Sequence, residues 1–203
     1  MSRNAVDIVV ADDNAILLSV LSEIFKECGY LVRTASDGLG ALIEIRNYAP
    51  DILLSDLNMP FMSGFELLSI VRRRYPTITV IAMSTSYSGD IVPQGVAADA
   101  FYEKGAASVA RLLQMVNEMK GEPHLQSSRA TTPIWIPRPS PDPDGGSDVS
   151  FACPECLRAY RYSINETASG HHMNCPYCLY HLHLAIVPAN MEVDKPPFVR
   201  VKS

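Results

Sequence analysis

The sequence predicts an α/β fold with a doubly wound, five-stranded parallel sheet, followed by a flexible linker and a small β-rich module. Three observations predict this arrangement. Residues 1–120 alternate short apolar runs with amphipathic stretches, residues 121–150 hold six of the 15 prolines, and residues 151–187 contain two Cys-x-x-Cys pairs. Residues 188–203 are rich in proline and are expected to form a loose tail.

The elements of residues 1–120 can be assigned in chain order. Five short apolar runs have the length of buried strands: 6–11, 30–35, 51–55, 78–83 and 99–102. Apolar residues at helical spacing occupy 16–25, 41–45, 67–71 and 109–116. A further helix is expected over residues 86–96, although Gly89, Pro93 and Gly95 disfavour it. Repeated strand–helix units predict a parallel sheet covered by helices on both faces.

The linker, residues 121–150, has no apolar periodicity that would support a core. The apolar triplet Ile134-Trp135-Ile136 is the exception. We interpret it as a segment that docks on a neighbouring domain, and a partner-binding motif is the alternative.

Composition excludes several classes of protein. With 47% apolar and 19% charged residues, the 203-residue chain is not wholly disordered. A net charge of −5 gives no overall cationic field for nucleic acid or anionic lipid. The apolar runs are too short to span a membrane, and residues 1–4 lack the apolar stretch of a secretory signal. A cytoplasmic protein without a membrane partner is expected.

Three carboxylates follow the ends of two predicted strands. Asp12 and Asp13 follow the first strand, and Asp56 follows the third. In a doubly wound sheet the carboxyl ends of adjacent parallel strands meet at one edge, so these side chains should converge. At about 5 Å and an effective dielectric near ~20, each pair repels by roughly 3 kcal/mol. Such a cluster needs a cation, and hard oxygen ligands favour magnesium.

Two further side chains are expected at the same edge. Ser84 ends the fourth predicted strand and Lys104 follows the fifth. A hydroxyl and an ammonium group beside carboxylates and a divalent ion form a pocket that stabilises an anion. This combination is suited to phosphoryl transfer onto a carboxylate.

Residues 5–120 resemble the receiver domain of bacterial response regulators, a flavodoxin-like fold. The matching features are the Asp12–Asp13 pair, Asp-Leu-Asn-Met-Pro at 56–60 with Gly64, Ser84, and residues 99–104. The resemblance implies that Asp56 is the phosphoacceptor and that Ser84 and Lys104 contact the phosphoryl group. It also implies a switch role for Tyr102. The magnesium ligands implied are Asp12, Asp13, Asp56 and the backbone carbonyl of Asn58.

One departure from the family is visible at Gly105, because receiver domains usually have proline after the lysine. Looser geometry around Lys104 and slower phosphotransfer would follow. Taken singly, Asp12 and Asp13 are also suitable helix caps. A receiver that is not phosphorylated and serves as a scaffold is therefore an alternative.

The two cysteine pairs have the spacing of a structural zinc site. Cys153 and Cys156 are separated by 18 residues from Cys175 and Cys178, which fits four thiolates around one metal ion. Alternating apolar residues after each pair predict strands. A segment below ~40 residues is too small to fold readily without a metal. A redox pair is the alternative, but no helical pattern follows either motif.

Residues 151–187 resemble a zinc ribbon of the Cys-Pro-x-Cys type, with one departure. Leu157 and Leu179 stand where the family usually has glycine, so strained or altered turns are expected. The four histidines at 171, 172, 181 and 183 are alternative ligands, but we expect them on the strand surface.

These features predict a response regulator of a two-component phosphorelay with the ribbon as output or docking module. A sensor histidine kinase or a phosphotransfer protein would be the phosphodonor. Nothing after residue 120 resembles an active site, so no enzymatic output is expected. Within 151–187, two arginines and two glutamates cancel, which favours a protein partner over nucleic acid. A transcriptional regulator that binds nucleic acid through the ribbon is the alternative.

Overall fold

The structure, a computed structural model, describes residues 5–89, 91–93, 96–120, 134–137, 148–163 and 170–187. The expected tail, 188–203, lies outside these ranges, as does most of the expected linker. None of the helices in the described ranges combines the length and apolar character that a membrane crossing requires.

The first part of the chain alternates strands and helices. The strands are β1 (Asp7–Ala11), β2 (Leu31–Ala35), β3 (Ile52–Asp56), β4 (Thr79–Ser84) and β5 (Ala100–Glu103). The helices are α1 (Ala15–Glu27), α2 (Gly38–Asn47), α3 (Gly64–Arg74) and α4 (Val109–Glu118). The strands form one parallel sheet in the order β2-β1-β3-β4-β5. This confirms the predicted five-stranded, doubly wound sheet.

Side chains alternate across the strands and build a separate apolar core on each face of the sheet. On one face, Ile8, Val10 and Leu54 pack with Phe25 of α1 and Leu112 of α4. On the opposite face, inward side chains from the same strands pack with α2 and α3: Val9, Leu53, Val80, Phe101, Leu42, Ile45, Leu67 and Leu68. Both faces are thus closed to water, and the carboxyl edge of the sheet is the natural place for polar groups.

The expected helix over residues 86–96 is wrong. The described residues between Ser84 and Ala100 contain no helix, in line with the disruptive effect of Pro93 and of Gly89, whose φ is +96°. Tyr87 nevertheless packs edge-on against Phe65 and Phe101, with ring centroids 6.4 and 6.2 Å apart. The segment therefore covers the sheet with individual side chains instead of a helical face.

The C-terminal module consists of short strands. They are β6 (Ile134–Pro137), β7 (Asp148–Ala152), β8 (Ala159–Ser163), β9 (Gly170–Asn174) and β10 (His181–Val187). Strands β7 and β8 form a hairpin, and β10 pairs with β9 on one side and β6 on the other. The module has its own apolar core: Ile134, Ile136, Val149, Phe151, Leu182 and Leu184, with Cys153 and Cys175.

Strand β6 lies inside the segment that composition marks as linker, and β7 starts before residue 151. The apolar triplet explains the difference. Ile134 and Ile136 are buried, and β6 pairs in parallel with β10 while also contacting α3 of the first domain. Linker composition therefore surrounds a strand that belongs to the module.

Gly64 fixes the start of α3 against the end of β3. A methyl group at Gly64 would lie 2.0 Å from the carbonyl oxygen of Asp56 and 2.7 Å from Cα of Leu57. We predict that Gly64→Ala lowers the free energy of unfolding by about 2 kcal/mol, because backbone atoms would have to move. Urea denaturation of the full chain measures this loss.

Gly40, inside α2, provides the matched control. The nearest atom to a methyl group there is Cβ of Ala35 at 3.5 Å, an ordinary contact. Gly40→Ala should be neutral or stabilise by up to about 1 kcal/mol, since alanine favours a helix over glycine. Equal effects of the two substitutions would contradict the assigned packing of Gly64.

Candidate functional site

Three carboxylates meet at the carboxyl edge of the sheet. Asp12 follows β1 and Asp56 ends β3, and these adjacent strands carry both side chains to the same place. One oxygen of each of Asp12, Asp13 and Asp56 lies within 4.8 Å of the others. Asp12 and Asp56 are buried and Asp13 is exposed. The predicted convergence is thus present.

The helix that follows does not use these carboxylates as its cap. Asn14 caps α1, and its side-chain oxygen accepts the amides of Ile16 and Leu17 at 3.0 and 3.1 Å. The Oδ1 atom of Asp12 accepts the amide of Asn14 at 2.9 Å. The capping alternative is therefore wrong for this acidic pair, which faces the edge of the sheet.

Lys104 bridges the two buried carboxylates. Its Nζ lies 2.9 Å from Oδ2 of Asp12 and 3.0 Å from Oδ2 of Asp56. The amide of Lys104 also donates to the carbonyl of Ser84 at 2.8 Å, which extends the pairing of β4 and β5. Burial alone would lower the pKa of Lys104, but hydrogen bonds to Asp12 and Asp56 and their charges raise it.

One oxygen of Asp56 lacks a partner among the described residues. Its Oδ1 is buried without a hydrogen bond, whereas Oδ2 is paired with Lys104. Burial raises the pKa of Asp56, and the hydrogen bond and charge of Lys104 oppose this effect. A buried carboxylate oxygen without a hydrogen bond is costly, so this atom is a candidate ligand for a cation.

The other predicted site residues, Ser84, Asn58 and Tyr102, make different contacts. Ser84 is fully buried at the end of β4, and its Oγ accepts the amide of Ser86 at 3.0 Å. The side chain of Asn58 donates to Oγ of Ser86 at 3.2 Å. Tyr102 is buried, and its hydroxyl donates to the carbonyl of Ala107 at 2.8 Å. The metal role of Asn58 and the switch role of Tyr102 stay predictions.

The family model described as response regulator receiver domain matches residues 8–116. The chain belongs to this family. Membership supports the assignment to two-component signalling, and it covers the domain that carries the acidic cluster. The C-terminal module lies outside the match.

Curated relatives contain the receiver domain within longer proteins. A protein-glutamate methylesterase/protein-glutamine glutaminase of Hahella chejuensis is 30% identical over 132 residues, 56% of this chain and 37% of the relative. The transcriptional regulatory protein ZraR of Klebsiella oxytoca is 38% identical over 88 residues, 43% of this chain and 20% of the relative. The chain thus spans about two fifths or less of these relatives, whose outputs differ from one another.

Solved structures match the receiver domain over nearly their whole length. The chemotaxis response regulator CheY4 of Vibrio cholerae has a TM-score of 0.51 and 27% identity, over 57% of this chain and 98% of that protein. The response regulator TrrA of Thermotoga maritima, in complex with Mg(2+)-BeF, has a TM-score of 0.51 and 27% identity, over 56% and 97%. Both matches agree with the five-stranded sheet described above.

The four cysteines of the C-terminal module also converge. Their Sγ atoms all lie within 4.8 Å of one another, and the Cys153–Cys178 and Cys156–Cys175 distances are both 3.7 Å. Each pair lies in a similar turn. The amide of Leu157 donates to the backbone carbonyl of Cys153, and the amide of Leu179 donates to the backbone carbonyl of Cys175. The sequence placed these four residues in one group, and the structure does the same.

The two leucines that depart from the ribbon pattern adopt left-handed backbone conformations. The φ angles are 60° at Leu157 and 59° at Leu179. Glycine takes this conformation freely, whereas another residue pays roughly 1–2 kcal/mol for it. The expected strain is therefore present in both turns.

Thiol ionisation differs within the cluster. Burial raises the pKa of Cys153 to about 12. Burial would also raise the pKa of Cys175, but backbone hydrogen bonds from Tyr177 and Cys178 lower it to about 7. The hydrogen bonds that lower the pKa of Cys175 favour its thiolate, the form that binds metals.

The histidines of the module lie outside the cysteine group. His172 stacks on His183 with ring centroids 4.3 Å apart and lies 3.3 Å, Nδ1 to Nε2, from His181. His171 is buried and packs edge-on against Tyr162, so its expected position on the surface is wrong. Its strand partner is Leu184, whose side chain belongs to the module core.

Three residues of α3 contact the module, and sequence analysis did not single them out. Glu66 accepts the amide of Ala152, Arg73 donates to the hydroxyl of Tyr180, and Arg74 donates to the carbonyl of Pro154. Burial raises the pKa of Glu66 to about 7. The sequence signal for this contact was Glu66 itself, a charged residue among the apolar residues of α3.

We predict that Lys104→Met destabilises the full chain by about 3 kcal/mol in magnesium-free buffer, because two buried carboxylates lose their shared cation. Urea denaturation measures the loss. Added Mg²⁺ should recover part of it, since a cation among the carboxylates relieves their repulsion. Lys26→Met, on an exposed position of α1, should change stability by less than about 0.5 kcal/mol. Similar values for both variants would contradict the electrostatic role of Lys104.

Proposed function

We propose that the chain is a response regulator whose receiver domain is phosphorylated on Asp56 by a sensor histidine kinase or a phosphotransfer protein. The observation that carries this proposal is the pocket at the sheet edge. Lys104 binds one oxygen of Asp56, and the other oxygen is buried without a partner among the described residues. A pocket of this kind has a nucleophile, a cation and a place for a further ligand.

Each residue of the pocket has a role in this proposal. An oxygen of Asp56 attacks phosphorus as the bond between phosphorus and the nitrogen of the phosphodonor breaks. Lys104 holds the carboxylate in place. Ser84 and Lys104 then donate to oxygens of the transferred group. Asp12, Asp13, Asp56 and the carbonyl of Asn58 would hold Mg²⁺. The unpartnered oxygen of Asp56 and the hard oxygen donors fit that ion. When bound, Mg²⁺ neutralises charge on the phosphoryl oxygens.

Phosphorylation would switch the domain through charge. The acyl phosphate carries roughly two negative charges where the carboxylate carried one, beside Lys104, which is shared between Asp12 and Asp56 in the present state. Ser84 would exchange its contact with the amide of Ser86 for the new group. Because Ser86 lies in the irregular segment between β4 and β5, this exchange would reach Tyr102 through the β4–β5 edge.

The cysteine cluster would hold structural zinc. Zn–S bonds of about 2.3 Å in a tetrahedron place sulfur atoms about 3.8 Å apart. The two measured Sγ–Sγ distances of 3.7 Å support this geometry. Four thiolates complete the coordination, which favours a structural over a catalytic ion.

The module would act as a docking or output element for a protein partner, without enzymatic activity. Tyr177 and Leu179 are exposed at the second cysteine turn, 51% and 77%, and provide an apolar contact surface. Arg158 stacks on Tyr177, 5.2 Å from the ring centroid, so its charge lies against an aromatic face. Four thiolates around one Zn²⁺ carry a net negative charge, which opposes binding to phosphate backbones.

We predict that the full chain incorporates phosphate from acetyl phosphate in the presence of Mg²⁺, and that Asp56→Asn abolishes incorporation because an amide is a poor nucleophile. Intact-protein mass spectrometry measures the added phosphate. Asp37→Asn is the control, since asparagine caps a helix as well as aspartate does, and Asp37 caps α2. Labelling of Asp56→Asn at the level of the Asp37→Asn control would refute the assignment.

We predict that the purified chain contains about one zinc ion, and that a strong chelator unfolds the module while the receiver domain stays folded. The module's stability would come from metal binding, whereas the receiver domain has two cores of its own. Metal analysis and amide hydrogen exchange measure both effects. A metal-free chain with a protected module would contradict the zinc site.

A further inference from the structure

Helix α3 is buried on all sides. Every residue from Gly64 to Val71 is buried, which spans two full turns. A helix that covers a sheet in a two-layer packing ordinarily leaves one face in water. Here one face packs on the sheet, and the other lies under the C-terminal module, where β6 contacts it.

The last turn of α3 reaches both cysteine turns. Arg74 donates to the carbonyls of Pro154 and Glu155, the two residues between Cys153 and Cys156. Arg73 donates to the hydroxyl of Tyr180 at 3.2 Å. The carbonyl of Tyr180 in turn accepts the amide of Cys175, which closes the second turn. Adjacent arginines thus contact both cysteine turns, Arg74 through the main chain of the first and Arg73 through the side chain of Tyr180.

The first turns of α3 make a buried contact with the same module. Glu66 is 3% exposed, and its carboxylate accepts the amide of Ala152, the residue before Cys153. Ala152 is buried within the core that α2 and α3 share with the sheet, and Leu157 packs against that core. The module is therefore anchored by apolar packing as well as by hydrogen bonds.

The first residue of α3, Gly64, is fixed against the phosphoacceptor Asp56. The amide of Gly64 donates to the carbonyl of Leu57 at 3.0 Å, and Gly64 packs against the backbone of Asp56. A helix of 11 residues is about 16 Å long. It forms a continuous rigid connection from the Asp56 pocket to the cysteine turns.

We propose that α3 is the docking surface for the chain's own zinc module, and that this docking couples the cysteine site positively to the Asp56 pocket. The proposal rests on the zinc and phosphoacceptor sites proposed above. Asp56 packs against the first residue of α3 and the cysteine turns against its last turn, so binding at one site favours the position of α3 that the other site uses. Because coupling is reciprocal, a phosphoryl mimic that tightens zinc binding must itself bind more tightly when zinc is present.

The test is a competition titration of the full chain between zinc and a chromophoric chelator. Arg74→Ala should weaken zinc binding about tenfold, as expected for loss of a charged hydrogen-bond donor. Arg46→Ala, at an exposed position in the last turn of α2, should leave the zinc affinity unchanged. In the wild type, Mg²⁺ with beryllofluoride should tighten zinc binding several-fold, and this gain should be lost in Arg74→Ala.

A second pair of variants tests the buried anchor. Glu66→Gln retains an oxygen acceptor for the amide of Ala152, and Glu66→Leu removes it. Amide exchange in the last turns of α3 should rise in Glu66→Leu and in the zinc-stripped wild type, and stay near the wild-type level in Glu66→Gln.

Equal zinc affinities in the wild type, Arg74→Ala and Arg46→Ala would overturn the docking role of α3. An equal zinc affinity of the wild type with and without Mg²⁺ and beryllofluoride would overturn the coupling. These outcomes are distinct from failure of the proposed function. A chain that binds no zinc, or that does not bind beryllofluoride at all, would overturn that function and this inference together.

Discussion

Asp12 and Asp56 are buried side by side at the carboxyl edge of the sheet, and the ammonium group of Lys104 offsets part of their negative charge. The strand order of the sheet makes this arrangement possible. Adjacent parallel strands β1 and β3 bring the carboxylates together, β5 supplies the lysine, and apolar cores on both faces keep water from the sheet. Without the cation, burial of two like charges would oppose folding. The same electrostatic demand makes the pocket suited to a divalent ion.

The C-terminal module and the backbone of Asp56 both contact helix α3. Because α3 begins against the backbone of Asp56 and ends at the cysteine turns, a change at one end has a short path to the other. Residues 121–150 were expected to act as a flexible tether. Strand β6 changes this expectation for residues 134–137, since it pairs with β10 and contacts α3. The C-terminal module thus lies against the receiver domain in the described part of the chain.

Sequence reasoning recovered the parts of the molecule that depend on local pattern. Buried strands, the carboxylate group at their ends and the four cysteines all follow from periodicity and spacing, and Leu157 and Leu179 were identified as strained positions. It failed where tertiary packing decides. The segment after Ser84 has helical length, but its described residues form no helix, and Tyr87 covers the sheet. Glu66, Arg73 and Arg74 could not be assigned because their partners lie about 80 to 110 residues away in the chain.

The central claim is that Asp56 carries the phosphoryl group, and chemical trapping tests it most directly. The full chain is incubated with acetyl phosphate and Mg²⁺, and then reduced with borohydride, which converts an acyl phosphate of aspartate to homoserine. Peptide mass spectrometry then locates the product. The account predicts homoserine at position 56, with Asp12 and Asp13 unchanged. Homoserine at another position, or none in a chain that has incorporated phosphate, would contradict it.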